Sequence, residues 1–178
     1  MKTFTKQFIR KNSGCYAREE GIDFVNALDF MSEQGYKIPY TWILESSIPT
    51  KDKYWFFCNK VFTKEQNQQV AIGCAWIVLE IFENKYPNDD RPRKAIIAAE
   101  QYLEGLIDSE ALMEARSNAA YATYAAYDDA YSYAAYAAYV AATDAYATAY
   151  AATFAADAAA TLQEALLLFL IQLCNENL

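Results

Sequence analysis

From residue 106 to residue 178 the chain runs 73 residues without a glycine or a proline. Alanine fills 24 of the 50 positions from Ala111 to Ala160, and nine tyrosines fall between Tyr121 and Tyr150. Alanine is the strongest helix former, so this tract is expected to be helical almost throughout. One unbroken helix of that length would be about 110 Å long. A compact chain of this size has a radius of gyration of only about 16 Å. The tract must therefore fold back on itself, and its breaks must come from something other than glycine or proline.

Tyrosine phase locates one break. Tyr121, Tyr124, Tyr127 and Tyr131 share one helical face, whereas Tyr133, Tyr136 and Tyr139 share another. The slip falls on Asp128-Asp129-Ala130-Tyr131-Ser132, and Asp and Ser suit helix starts, so a turn is expected there. Thr161-Leu162-Gln163-Glu164 has the spacing of a capping box, which predicts a last helix over about 162–174.

The preceding part also reads as helix. Ile22, Val25, Leu28 and Phe30 suit a helix over 19–30. Val70, Ala71, Cys74, Ile77, Val78 and Ile81 form an amphipathic stripe in a helix over 64–84. Tyr86-Pro87-Asn88-Asp89-Asp90 predicts a turn, and Pro92 and Gly105 bracket a helix over 91–103. Residues 54–62 fit either a strand or a helix. The expected fold is all-α. It is a single-domain helical bundle over 1–178, with a C-terminal Ala/Tyr-rich helical hairpin folding back on the N-terminal helices. The 178 residues suit one domain with a real core.

Composition removes whole classes of function. There is no histidine. Ser-His-Asp and Cys-His catalysis, histidine-containing zinc sites and imidazole proton shuttles are therefore excluded. The net charge of −8 opposes general binding to nucleic acid or to anionic membrane. That charge is not evenly spread. Residues 1–105 balance 14 bases against 14 acids, and residues 106–178 hold one base, Arg116, against nine acids. The N-terminus alternates charged and apolar side chains, so no signal peptide is expected. The longest apolar run, 165–173, is too short to span a bilayer. A soluble, cytoplasmic protein is expected. Cys15, Cys58, Cys74 and Cys174 make no CxxC pair and read as reduced, mostly buried thiols.

The run from Gln68 to Gly105 reads QQVAIGCAWIVLEIFENKYPNDDRPRKAIIAAEQYLEG. It combines an Ala/Cys-containing helix that ends near Phe-Glu, a dense Pro87–Ile96 motif, and a helix closed by glycine. Ser13-Gly14-Cys15-Tyr16-Ala17-Arg18-Glu19-Glu20-Gly21 adds a helix start, and the Ala-rich tract follows. This pattern resembles the immunity-five-like family of immunity proteins, found beside polymorphic toxins and in phage genomes. The resemblance implies toxin neutralisation or anti-defence and does not imply an enzyme; no cofactor is expected.

Three groups of residues are candidates for a site. Asp89, Asp90, Arg91 and Arg93 offer a guanidinium pair for phosphate or carboxylate. The preferred reading is structural: the acids cap a helix, and the arginines pair with Glu80, Glu83 or Glu100. The carboxylate pairs Glu80/Glu83 and Asp128/Asp129 suit a metal or acid–base chemistry only weakly without histidine, and Cys15 lacks a base to activate it. The third group is the tyrosine ladder: Tyr121, Tyr124, Tyr127, Tyr136 and Tyr139, with Asp128 and Asp129. Core packing is preferred there, with Asp128, Asp144 and Asp157 as partners for buried phenols. The alternative is an acidic, tyrosine-rich interface for a basic protein such as a nuclease toxin or a defence protein. Two further readings are a nucleotide or small-molecule sequestration protein using Arg91, Arg93 and the tyrosines, and a phage structural or accessory homo-oligomer. Neither a membrane nor nucleic acid is an expected partner.

Overall fold

A computed structural model of the chain describes residues 3–5, 38–46, 50–126, 136–137, 139 and 163–178. Their order is β1 (Thr3–Phe4), β2 (Ile38–Pro39), α1 (Tyr40–Glu45), α2 (Thr50–Lys60), α3 (Lys64–Lys85), α4 (Arg91–Leu103), α5 (Ser109–Ala125) and α6 (Gln163–Asn177). The fold is all-α. The only sheet among the described residues is the antiparallel pair of β1 and β2, with Phe4 opposite Ile38. The expected helix over 19–30, the turn at 128–132, the Thr161 capping box and Cys15 lie outside the described residues.

Helix α3 is the central element. It buries Val70, Ala71, Cys74, Ala75, Val78, Leu79 and Phe82, more than one face's worth, because it is covered on two sides. One side packs against α6, which also touches α1 and α2. The other packs against α4, and α4 in turn carries α5. Two long-range hydrogen bonds, one of them buried, fix α6 in place. The Tyr54 hydroxyl donates to the Leu166 carbonyl at 2.6 Å, and the Tyr40 hydroxyl donates to Asn175 Oδ1 at 2.7 Å. Residues 54–60 are helical, which resolves the ambiguity left by their pattern. Tyr54, Phe56, Phe57 and Cys58 are all buried, so α2 shows no clean apolar stripe to read. Phe56 meets Phe4 edge-on, with ring centroids 5.6 Å apart.

Helix ends are set by local chemistry. Thr63 and Gln66 form a reciprocal capping box at the start of α3. Helix α4 ends in a Schellman motif. Leu106 N–H donates to the Gln101 carbonyl, and Gly105 N–H donates to the Tyr102 carbonyl. Gly105 has φ +72°, a conformation that side-chain-bearing residues rarely adopt. Three residues later Asp108 Oδ1 accepts the amides of Glu110 and Ala111 at 3.1 and 2.9 Å. Replacing Asp108 with Ala is expected to lower stability by about 1 kcal/mol in urea unfolding, whereas Asn, which keeps the acceptor, should cost only tenths. Equal losses for the two variants would show that charge, and not the cap, matters there.

None of the described helices is long and apolar enough to cross a membrane.

Candidate functional site

The Pro87–Ile96 motif joins α3 to α4. Asp89 N–H donates to the Tyr86 carbonyl at 3.0 Å, which closes the turn. Pro92 enters the first turn of α4, where its missing N–H has no cost. Arg91 folds back onto Asp89, with Nε 2.7 Å from Oδ1 and Nη2 2.5 Å from Oδ2. The same Oδ1 accepts the Arg91 amide at the helix start, whereas Asp90, the N-cap residue, makes no side-chain cap, so the expected capping by both acids fails for Asp90. Arg91 beside it holds the Asp89 carboxyl below the usual carboxylate range. Lys94 reaches Asp90 at 2.9 Å.

Arg93 spans the two helices. Its Nε and Nη2 each lie 2.6 Å from an oxygen of Glu83 on α3, a two-point fork. Its guanidinium sits 5.4 Å from the centroid of the Trp76 ring. The Trp76 indole N–H donates in turn to Glu100 of α4 at 2.7 Å. Glu83, Arg93, Trp76 and Glu100 thus form one chain of contacts that clamps α4 on α3. The pairing of Arg93 with Glu83 was among those expected. Arg91 differs, since its partner is the neighbouring Asp89. Trp76 was not anticipated, although its spacing of four and seven residues from Glu80 and Glu83 puts the three on one face.

Both arginine forks are therefore occupied by carboxylates of the same chain. A phosphate would have to displace them, and this geometry opposes the nucleotide-clamp reading. Among the described residues no group of three His, Cys, Asp or Glu is arranged to hold a metal ion.

The second surface is α5. Its inner face is made of Leu112, Ala119 and Ala122, set against a helix whose buried residues are Ala95, Ile96, Ala98 and Ala99. Small side chains on both let the two backbones approach closely. The outer face carries Glu110, Met113, Glu114, Ser117, Tyr121 and Tyr124 at spacings of three and four. Met113 is 60% exposed, Tyr121 65% and Tyr124 79%. The core-packing expectation fails for these two tyrosines: alanine packs between α4 and α5, and the phenols are exposed.

Tyr136 and Tyr139 are half-buried, with ring centroids 5.2 Å apart. The Arg116 guanidinium lies 4.9 Å from the Tyr139 ring centroid and donates to its hydroxyl at 2.7 Å. Tyr127, Asp128 and Asp129 lie outside the described residues.

The turn, the clamp and the exposed face all fall within one stretch of sequence. A family model described as "Imm-5 like putative immunity protein" matches residues 60–167. The chain belongs to this immunity-protein family. The match takes in α3, α4 and α5, and so covers both the arginine-clamped motif and the tyrosine-bearing helix of this chain. In this family member β1, β2 and α1 lie before the matched stretch. No curated protein and no solved structure matches the chain.

Proposed function

We propose that the protein neutralises a toxin by binding it, and that it does so without catalysis. The observation that carries this reading is membership of the immunity family over residues 60–167. The site geometry agrees with it. The charged residues of the motif are spent on holding α3 and α4 together, and the outward tyrosines and acids stand on a helix free to meet another molecule. A toxin in the producing cell, or a defence protein met by an invading phage, presents the same task. The protein would perform it in the cytoplasm.

The test is co-expression of the chain with the toxin genes that neighbour its own, followed by titration of the purified pair. Rescue of growth is expected, with toxin activity falling linearly to zero at equimolar protein. Complete protection at a tenth of that amount would replace binding by turnover. Growth arrest left unrelieved for every neighbouring toxin would remove the immunity reading.

A further inference from the structure

We infer that the outer face of α5 is the docking surface, and that its occupant is a basic protein segment carrying apolar side chains. This assignment rests on the binding role proposed above and names the surface and the partner chemistry for it. Exposed large apolar groups cluster on this helix and its approach: Leu106, Met113, Tyr121 and Tyr124. Large apolar side chains gathered on one exposed face mark interaction sites. Tyrosine is enriched in such sites because its ring buries area at low entropic cost and its hydroxyl stays wet.

Charge decides the occupant. Glu110 and Glu114 share the face with Met113 and Tyr121, and among the described residues neither has a cationic partner. Arg116 is the one base in residues 106–178, and it is turned away to Tyr139. The face therefore presents uncompensated carboxylates beside aromatic rings. Lysine and arginine satisfy both, by charge-assisted hydrogen bonds and by stacking on the rings. A second copy of the chain does not fit. A two-fold interface sets a patch on itself, and here acids would meet acids. The chain's own residues 127–162 are no better suited, since they hold Asp128, Asp129, Asp144 and Asp157 and no base.

The test uses the full chain and an amphipathic peptide of 18 residues made of Lys, Arg and Leu. Amide chemical shifts should move along residues 106–124. Tyr121→Ala with Tyr124→Ala should weaken binding at least tenfold, as should Glu110→Gln with Glu114→Gln. Both residue pairs are exposed, so melting temperatures should change little and confirm that each variant is folded. A peptide of equal charge with Ser in place of Leu should bind more weakly than the amphipathic one. Shifts spread over other helices, or an affinity indifferent to the tyrosine pair, would overturn the assignment. So would a monomer–dimer equilibrium, seen by sedimentation, that the tyrosine pair abolishes, because a second copy would then be the occupant. Toxin neutralisation by the same variants separates the two claims. Full neutralisation by folded variants that have lost peptide binding refutes the surface and leaves the immunity role standing.

Discussion

Raising the pH from 7 to 10 in the presence of reductant is expected to remove a large part of the folding stability. Cys58, Cys74 and Cys174 are free thiols buried near the Tyr54 ring, where α2, α3 and α6 meet. Burial pushes Cys74 and Cys174 up to about 12 and drives Cys58 and the Tyr54 phenol well above their ordinary values. An unfolded thiol titrates near 8.5. A group whose value is raised by folding gives its full contribution below the unfolded value. The contribution is lost as pH rises toward the folded one. Between about pH 8.5 and 12 the unfolded chain therefore sheds protons that the folded chain keeps. Each thiol removes about 1.4 kcal/mol per pH unit over that window. At pH 10 that is about 2 kcal/mol each for Cys74 and Cys174, about 4 kcal/mol together, and Cys58 acts in the same direction. Typical domains have about 5–15 kcal/mol in total. Lys53 acts in the opposite sense, because burial lowers its value, but it is one group against three thiols. Thermal melts from pH 7 to 10 would show a steep fall above pH 8.5. Cys74→Ala should lower stability at pH 7 yet make the alkaline slope shallower. A melting temperature level from pH 8 to 10 would mean that the thiols ionise in the folded state as freely as in water.

Those thiols show how far the sequence could be read. Four cysteines without a CxxC pair already imply buried thiols, and the three described ones are buried. That they gather round Tyr54 was not legible. The meeting point joins residues 54 and 58, one helical turn apart, to residues 74 and 174, and no local pattern links those three places. Helices with one buried face were the most legible. The expected boundaries of 91–103 and 64–84 agree with Arg91–Leu103 and with Lys64–Lys85. In both, Pro, Thr or Gly punctuates an apolar period. Helix α2 was not legible, because a helix covered on several sides loses its period and looks like a buried strand. The side of the helix on which Tyr121 and Tyr124 lie was missed for a different reason. Alanine and tyrosine alternate at helical spacing, and either could have formed the inner row. Close approach of α4 and α5 favours the smaller side chain, so alanine went inside and tyrosine out. In the Pro87–Ile96 motif the helix-start logic was sufficient for Pro92 and Asp89, and the Arg93–Glu83 pair followed from having acids on the preceding helix. The Trp76–Glu100 link needed the crossing of α3 and α4 to be known first.

Substitution of Gly73 by Ala is expected to lower stability by about 1–3 kcal/mol. Alanine would ordinarily help by about 1 kcal/mol in the middle of a 22-residue helix. The position opposes that gain through space, not through backbone conformation. A methyl at residue 73 would lie 1.9, 2.3 and 2.8 Å from three atoms of the Phe169 ring on α6. Carbon atoms in contact sit about 3.5–4.0 Å apart, so the ring must retreat by more than an ångström. Three atoms of one ring face the new methyl, so a small tilt relieves one contact and keeps another. Displacing the ring also disturbs its neighbours on α6, Leu166 and Leu170, which are fully buried. Overpacking of this kind typically costs about 1–3 kcal/mol, occasionally more, which exceeds the propensity gain. A double-mutant cycle separates the two terms. Phe169→Ala alone should destabilise by loss of a half-buried ring. Adding Gly73→Ala to that background should then stabilise, because the clash is gone and the helix propensity remains. The sign of the Gly73 effect thus reverses between backgrounds, giving a coupling of several kcal/mol between positions 73 and 169. Equal effects of Gly73→Ala in both backgrounds, read by urea unfolding, would mean that α6 does not lie on α3 at this point.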